Sequence, residues 1–186
     1  MNHADHVRLI EAGIERDSGG VWADFGAGGG AFTLALREVA GAQVEIIAVD
    51  QDRGSLRYLR DAIERQFPGT RLRLLEADFT GNLSLPPLDG ILSANAIHYV
   101  PWPEQPALLR RWREYLKPDG RLIVVEYDTD RRNRWVPYPM AFATFSATAQ
   151  AAGFAEPVPI GSVPSRFLGR MYAAVTSPIA EVSSAA

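Results

Sequence analysis

Apolar positions along the chain switch between two periods. Over residues 6–16 they recur at helical spacing, with Val7, Ile10 and Ile14 on one face. Gly19-Gly20 breaks that pattern, and a strand begins over 21–23. A glycine cluster follows, then a second helical pattern over 33–39 that ends near Gly41. The second strand, 44–49, contains the apolar run Ile46 to Val49, as in a strand covered on both faces. A helix over 55–67 closes at Pro68-Gly69 and leads to a third strand over 72–77. A fourth strand is read over 90–94, a helix over 106–116, and a fifth strand over 122–126 after a turn at Asp119-Gly120. A helix over 139–152, capped by Gly153, precedes two late strands over 156–160 and 167–175.

Five strands alternating with helices imply a parallel sheet with helices on both faces. Only residues 161–166 separate the late strands, too few for a crossover helix, so they pair antiparallel at one edge. The expected fold is α/β, a Rossmann-like seven-stranded, mostly parallel sheet with one antiparallel strand near the edge. Residues 1–176 form one domain in this reading, and 177–186 a flexible tail.

Net charge adds exclusions to this picture. At −3, the chain carries no electrostatic footprint for nucleic acid or an anionic membrane. It contains no cysteine, so disulfide and thiolate chemistry are absent. No apolar run approaches the ~18 residues of a membrane span, and the first residues lack a basic-then-apolar leader pattern. A cytoplasmic location is expected by default. No metal site is read.

Candidate chemistry gathers where the strands end, because ligands of open α/β sheets sit beyond the carboxyl ends of the strands. The first strand ends in Asp24 and the run Gly26-Ala27-Gly28-Gly29-Gly30. Gly26, Gly28 and Ala31 also satisfy the dinucleotide pattern G-x-G-x-x-G/A, so the glycines alone leave two guests open. A diphosphate would be repelled by a carboxylate at Asp24, whereas an ammonium or sulfonium would be attracted. Asp50-Gln51 ends the second strand, where one carboxylate can accept both hydroxyls of a ribose. Asp50 would serve NAD equally well. Asp78-Phe79 ends the third strand and suits an adenine, and Asn95 ends the fourth.

The spacing Asp24-x-Gly26-x-Gly28-x-Gly30 resembles the first motif of class I S-adenosylmethionine-dependent methyltransferases. The acid after strand two, Asp78-Phe79, and Leu116-Lys117-Pro118-Asp119-Gly120-Arg121 extend the resemblance over residues 21–175. The segment 93–100 is similar to that of the small-molecule branch, near the ubiquinone-biosynthesis type (type 11/25), and lacks the Asn/Asp-Pro-Pro-Tyr/Phe motif. The resemblance implies S-adenosylmethionine as cofactor, held by Asp24, Gly26, Ala27, Gly28, Asp50, Gln51, Asp78, Phe79 and Asn95. It implies methyl transfer by in-line displacement to a small-molecule acceptor, and it places His98 near the methyl group as candidate general base.

Tyr99 and Tyr127 are candidate pocket walls. The connection 128–140 carries Arg131, Arg132, Arg134, Trp135 and Tyr138, candidates for an anionic or aromatic acceptor. The helix over 6–16 is expected to cover the cofactor. A homodimer is the alternative source of the missing acceptor wall. Two other functions stay open at this point: an NAD-dependent oxidoreductase, and a non-catalytic S-adenosylmethionine-binding module.

Overall fold

The computed structural model describes residues 1–165 and 167–179. Helix α1 (His3–Ile10) opens the chain and tightens into a 3-10 turn at Glu11–Gly13. It starts three residues before the apolar stripe because Asn2 caps it. The Asn2 side chain accepts from the Asp5 amide, and Asp5 accepts from the Asn2 amide, each at 3.0 Å. The expected helical end at Arg16 is overturned, since regular helix stops at Ile10.

Strand β1 (Val21–Phe25), α2 (Ala31–Ala40), β2 (Glu45–Asp50), α3 (Arg53–Gln66) and β3 (Arg71–Glu76) follow. Asp52 caps α3, accepting from the Gly54 amide at 2.7 Å and the Ser55 hydroxyl at 2.9 Å. Then come β4 (Leu88–Ala94), α4 (Gln105–Tyr115), β5 (Leu116–Tyr127), α5 (Phe142–Ala151), β6 (Val158–Pro164) and β7 (Arg170–Thr176). A 3-10 turn at Ile97–Tyr99 links β4 towards α4.

The strands form one sheet in the order β3-β2-β1-β4-β5-β7-β6. Pairings β3-β2, β2-β1, β1-β4 and β4-β5 are parallel. β7 is antiparallel to β5 and to β6, so it alone runs against the rest. The expected seven-stranded, mostly parallel architecture is therefore present. Residues 46–49 of β2 are fully buried, in keeping with their apolar run. One layer of core packs α1 and α2 against the sheet through Ile10, Leu36 and Val39. The other packs Leu109 and Trp112 of α4 and Phe145 of α5 against the opposite face.

Two local differences from the sequence reading have clear causes. The Lys117-Pro118-Asp119-Gly120 segment is a bulge inside β5, because Leu116 pairs with Leu88 while Arg121 pairs with Gly90. Asp89 pins the bulge, bonding the Lys117 ammonium and the Val21 amide, both at 2.7 Å. Residues 177–179, expected in the tail, are tied down: Ser177 accepts from the Ala155 amide and the Ile179 amide donates to Gly153, both at 2.9 Å. The rest of that expected tail, 180–186, lies outside the described residues.

Candidate active site

The loop after β1 is packed tightly on both sides. Gly26 has φ +76°, and a Cβ there would lie 2.5 Å from the Ala96 Cβ. Gly30 has φ +87°, and its Cβ would meet Leu59 at 2.6 Å. Both backbone conformation and space therefore demand glycine.

Two carboxylates frame this loop. Asp50 Oδ2 accepts from the Gly28 amide at 2.7 Å, and its Oδ1 from the Asp52 amide at 2.8 Å. Asp24 is only 1% exposed, and its Oδ2 accepts from the Thr33 hydroxyl at 2.5 Å. Burial, with the Asp50 charge adding to it, raises the Asp24 pKa to about 7 despite the Thr33 bond. No cationic side chain is paired with Asp24 among the described residues. An anion arriving here would meet two carboxylates and a Gly28 amide already engaged.

A cavity of about 1040 Å³ opens on this loop, and all nine side chains and backbone positions read from the sequence as cofactor contacts line it. They are Asp24, Gly26, Ala27, Gly28, Asp50, Gln51, Asp78, Phe79 and Asn95. Phe79 stacks on Phe25 with centroids 6.5 Å apart, and the Trp112 indole donates to the Phe79 carbonyl at 3.4 Å. Asp78 Oδ1 accepts from the Thr80 amide and hydroxyl at 2.8 and 2.7 Å, which fixes the turn after β3. Asn95 sits at φ +55°, and its buried Oδ1 has no hydrogen-bond partner among the described residues. Met1 and, from α1, His3 and His6 also line the cavity.

A second cavity, about 780 Å³, shares Asn95 and Met1 with the first. Tyr127 of β5, Val163 of β6, Met171 of β7 and Phe167 of the intervening turn line it. The ion-paired Asp5 and Arg8 of α1 stand on its other side.

His98 lines neither cavity. It is 3% exposed, and its Nδ1 lies 2.8 Å from Oε2 of the fully buried Glu126. Glu126 also accepts from the His98 and Tyr127 amides, each at 3.3 Å. The His98 ring touches Tyr99, which lines the first cavity, and Tyr127, which lines the second. Glu126 escaped the sequence reading as a site residue. Its one signal is an acid ending the apolar run Leu122 to Val125.

The connection 128–140 lies apart from both cavities, against expectation. Asp128 and Asp130 fold it onto the start of α5, accepting from the Phe142 and Ala141 amides at 3.0 Å. The Trp102 indole donates to the Pro139 carbonyl at 2.8 Å, and the Tyr138 amide to the His98 carbonyl at 3.0 Å. Arg134 lies over the exposed Trp135 rather than over a cavity.

Residues 23–120 match the family described as "Methyltransferase domain". The chain belongs to that family. The match takes in the glycine loop, Asp50, Asp78-Phe79 and Asn95 together. Among solved structures, the YcgJ protein of Bacillus subtilis is 14% identical, with a TM-score of 0.76 over 96% of this chain and 100% of that one. Mitomycin 7-O-methyltransferase MmcR is 17% identical, with a TM-score of 0.69 over 92% of this chain. CalO1, a methyltransferase of calicheamicin biosynthesis solved with S-adenosylhomocysteine, is 19% identical, with a TM-score of 0.72 over 95% of this chain. This chain spans only 53% of MmcR and 54% of CalO1. These likenesses are likenesses of fold. No curated protein matches the sequence.

Proposed function

We propose that the protein is an S-adenosylmethionine-dependent methyltransferase acting on a small-molecule acceptor. The observation that carries this reading is the buried, cation-free Asp24 carboxylate on the wall of the first cavity. A group of that kind is costly unless a positive partner arrives. The bound cofactor would supply an activated methyl carbon for in-line displacement.

The chain's own residues orient the two partners in this reading. Asp24 accepts from the ammonium of the methionine portion. Asp50 keeps acceptor capacity on both oxygens after its two amide bonds, which suits vicinal ribose hydroxyls. Gln51 lies beside it, Asp78 accepts from an adenine amine, and Phe79 covers the base. The acceptor would lie in the second cavity, with Asn95, which lines both spaces together with Met1, at the junction between the two partners. Asn95 Oδ1, without a donor among the described residues, takes a hydrogen bond from an acceptor O–H or N–H. His98 is the candidate proton acceptor at Nε2, with Glu126 as the positioning residue at Nδ1. Positioning can contribute about 7–11 kcal/mol to such a transfer, more than the roughly 3–5 kcal/mol of a general base.

Burial of His98 outside both cavities favours a second reading, a module that binds S-adenosylmethionine without turnover. Methyl transfer from labelled cofactor to any extracted metabolite removes that reading. Among the described residues no helix is long and apolar enough to cross a membrane, and a cytoplasmic location belongs to the proposal. A thermal-shift comparison tests the core of it. S-adenosylhomocysteine is expected to raise the melting temperature and NADH to leave it unchanged. Stabilisation by NADH alone reverses the assignment.

A further inference from the structure

The first cavity has an unequal charge lining. Four acids face it: Asp24, Asp50, Asp78 and Glu104. The side chains there that can carry positive charge are His3, His6 and Arg65. A methionine portion brings an α-carboxylate as well as an ammonium, so the carboxylate needs a donor near Asp24. Arg65 belongs to the part of the cavity formed by Tyr58, Ala62 and Gln66 of α3. His3 is engaged by Glu38 at 2.6 Å. The glycine-loop amides are largely spent: Gly26 and Ala27 donate to the Val49 carbonyl, Gly28 to Asp50, and Gly30 to the Ala27 carbonyl.

His6 differs from all of these. Its ring lies against Phe32, with centroids 4.7 Å apart, and makes no hydrogen bond among the described residues. Phe32 precedes Thr33, whose hydroxyl holds Asp24. The first turn of α2 therefore sets a buried carboxylate and an unengaged imidazole on the wall of one space. Burial lowers the His6 pKa, a bias that a carboxylate guest opposes.

We infer that His6 is the carboxylate-binding residue of this site, donating a ring N–H to the α-carboxylate of the methionine portion while Asp24 accepts from its ammonium. The inference rests on the first cavity being the cofactor site. It makes the pair a receptor for an α-amino-acid zwitterion.

Calorimetry with two probes tests it: S-adenosylhomocysteine, and S-adenosyl-3-thiopropylamine, which keeps the ammonium and lacks the carboxylate. His6→Phe preserves a ring against Phe32 and removes the donor, and His6→Leu repeats the test should that ring pack poorly. The variants are expected to bind S-adenosylhomocysteine about tenfold or more weakly and the amine within about twofold of wild type. Unchanged S-adenosylhomocysteine affinity overturns the inference and leaves the carboxylate to the free amides of the first turn of α2. Equal weakening of both probes also overturns it, reducing His6 to packing. If wild type binds neither probe, the cofactor reading itself fails.

Discussion

The Thr33 hydroxyl donates to Oδ2 of Asp24 at 2.5 Å, and both side chains are shut away from water. In the ligand-free protein this pair is an electrostatic liability. The folded-state pKa of Asp24, about 7, lies above the 3.8 of an unperturbed aspartate, so the fold binds a proton that the unfolded chain releases. Its stabilising contribution is complete below about pH 3.8 and is lost as pH rises through about 7. Asp24→Asn keeps an oxygen for Thr33 and removes the charge. The variant is expected to resist urea better than wild type at pH 8, with the difference vanishing towards pH 4. Its affinity for S-adenosylhomocysteine is expected to fall at least tenfold. A variant less stable at pH 8 contradicts the burial argument.

Asp50 holds the Gly28 amide, and in the proposed reading it also presents acceptors to a ribose. Asp50→Ala is expected to weaken S-adenosylhomocysteine binding by about 2–3 kcal/mol, measured by calorimetry. Unchanged affinity contradicts the ribose role.

Glu126 gathers three donors in the core: the His98 imidazole and the His98 and Tyr127 amides. Glu126→Ala strands them, and denaturant titration is expected to show a loss of about 2–4 kcal/mol. S-adenosylhomocysteine affinity is expected to stay within a few-fold of wild type, because neither member of the pair lines the first cavity.

Gly90 in β4 leaves room for Trp22: a Cβ there would come within 2.3 Å of the indole ring. Gly90→Ala is expected to destabilise the fold by about 1–3 kcal/mol, seen as a lower melting temperature. An unchanged melting temperature shows that the ring moves aside freely.

Much of this was legible from sequence. The buried strands declared themselves because β2 is apolar at four consecutive positions, and the acids at the carboxyl ends of β1 and β2 and just after β3 had to fall at one edge of a parallel sheet. The connection 128–140 misled because arginines and a tryptophan describe affinity without direction. Asp128 and Asp130, which fold that segment onto α5, set its course. His6 and Thr33 carried no sequence signal as site residues. The proposed role of His6 comes from α1 lying over α2, and the Thr33 bond to Asp24 from α2 folding back on β1, tertiary contacts that no local pattern encodes. Trp135→Ala is accordingly expected to leave S-adenosylhomocysteine affinity unchanged in calorimetry, and a tenfold loss would restore the loop to the site.

Helix α1 contributes His3 and His6 to one chamber and Asp5 and Arg8 to the other, and Met1 ahead of it lines both. It thus acts as a common roof. A substitution that displaces its eight residues therefore alters the walls of both compartments at once.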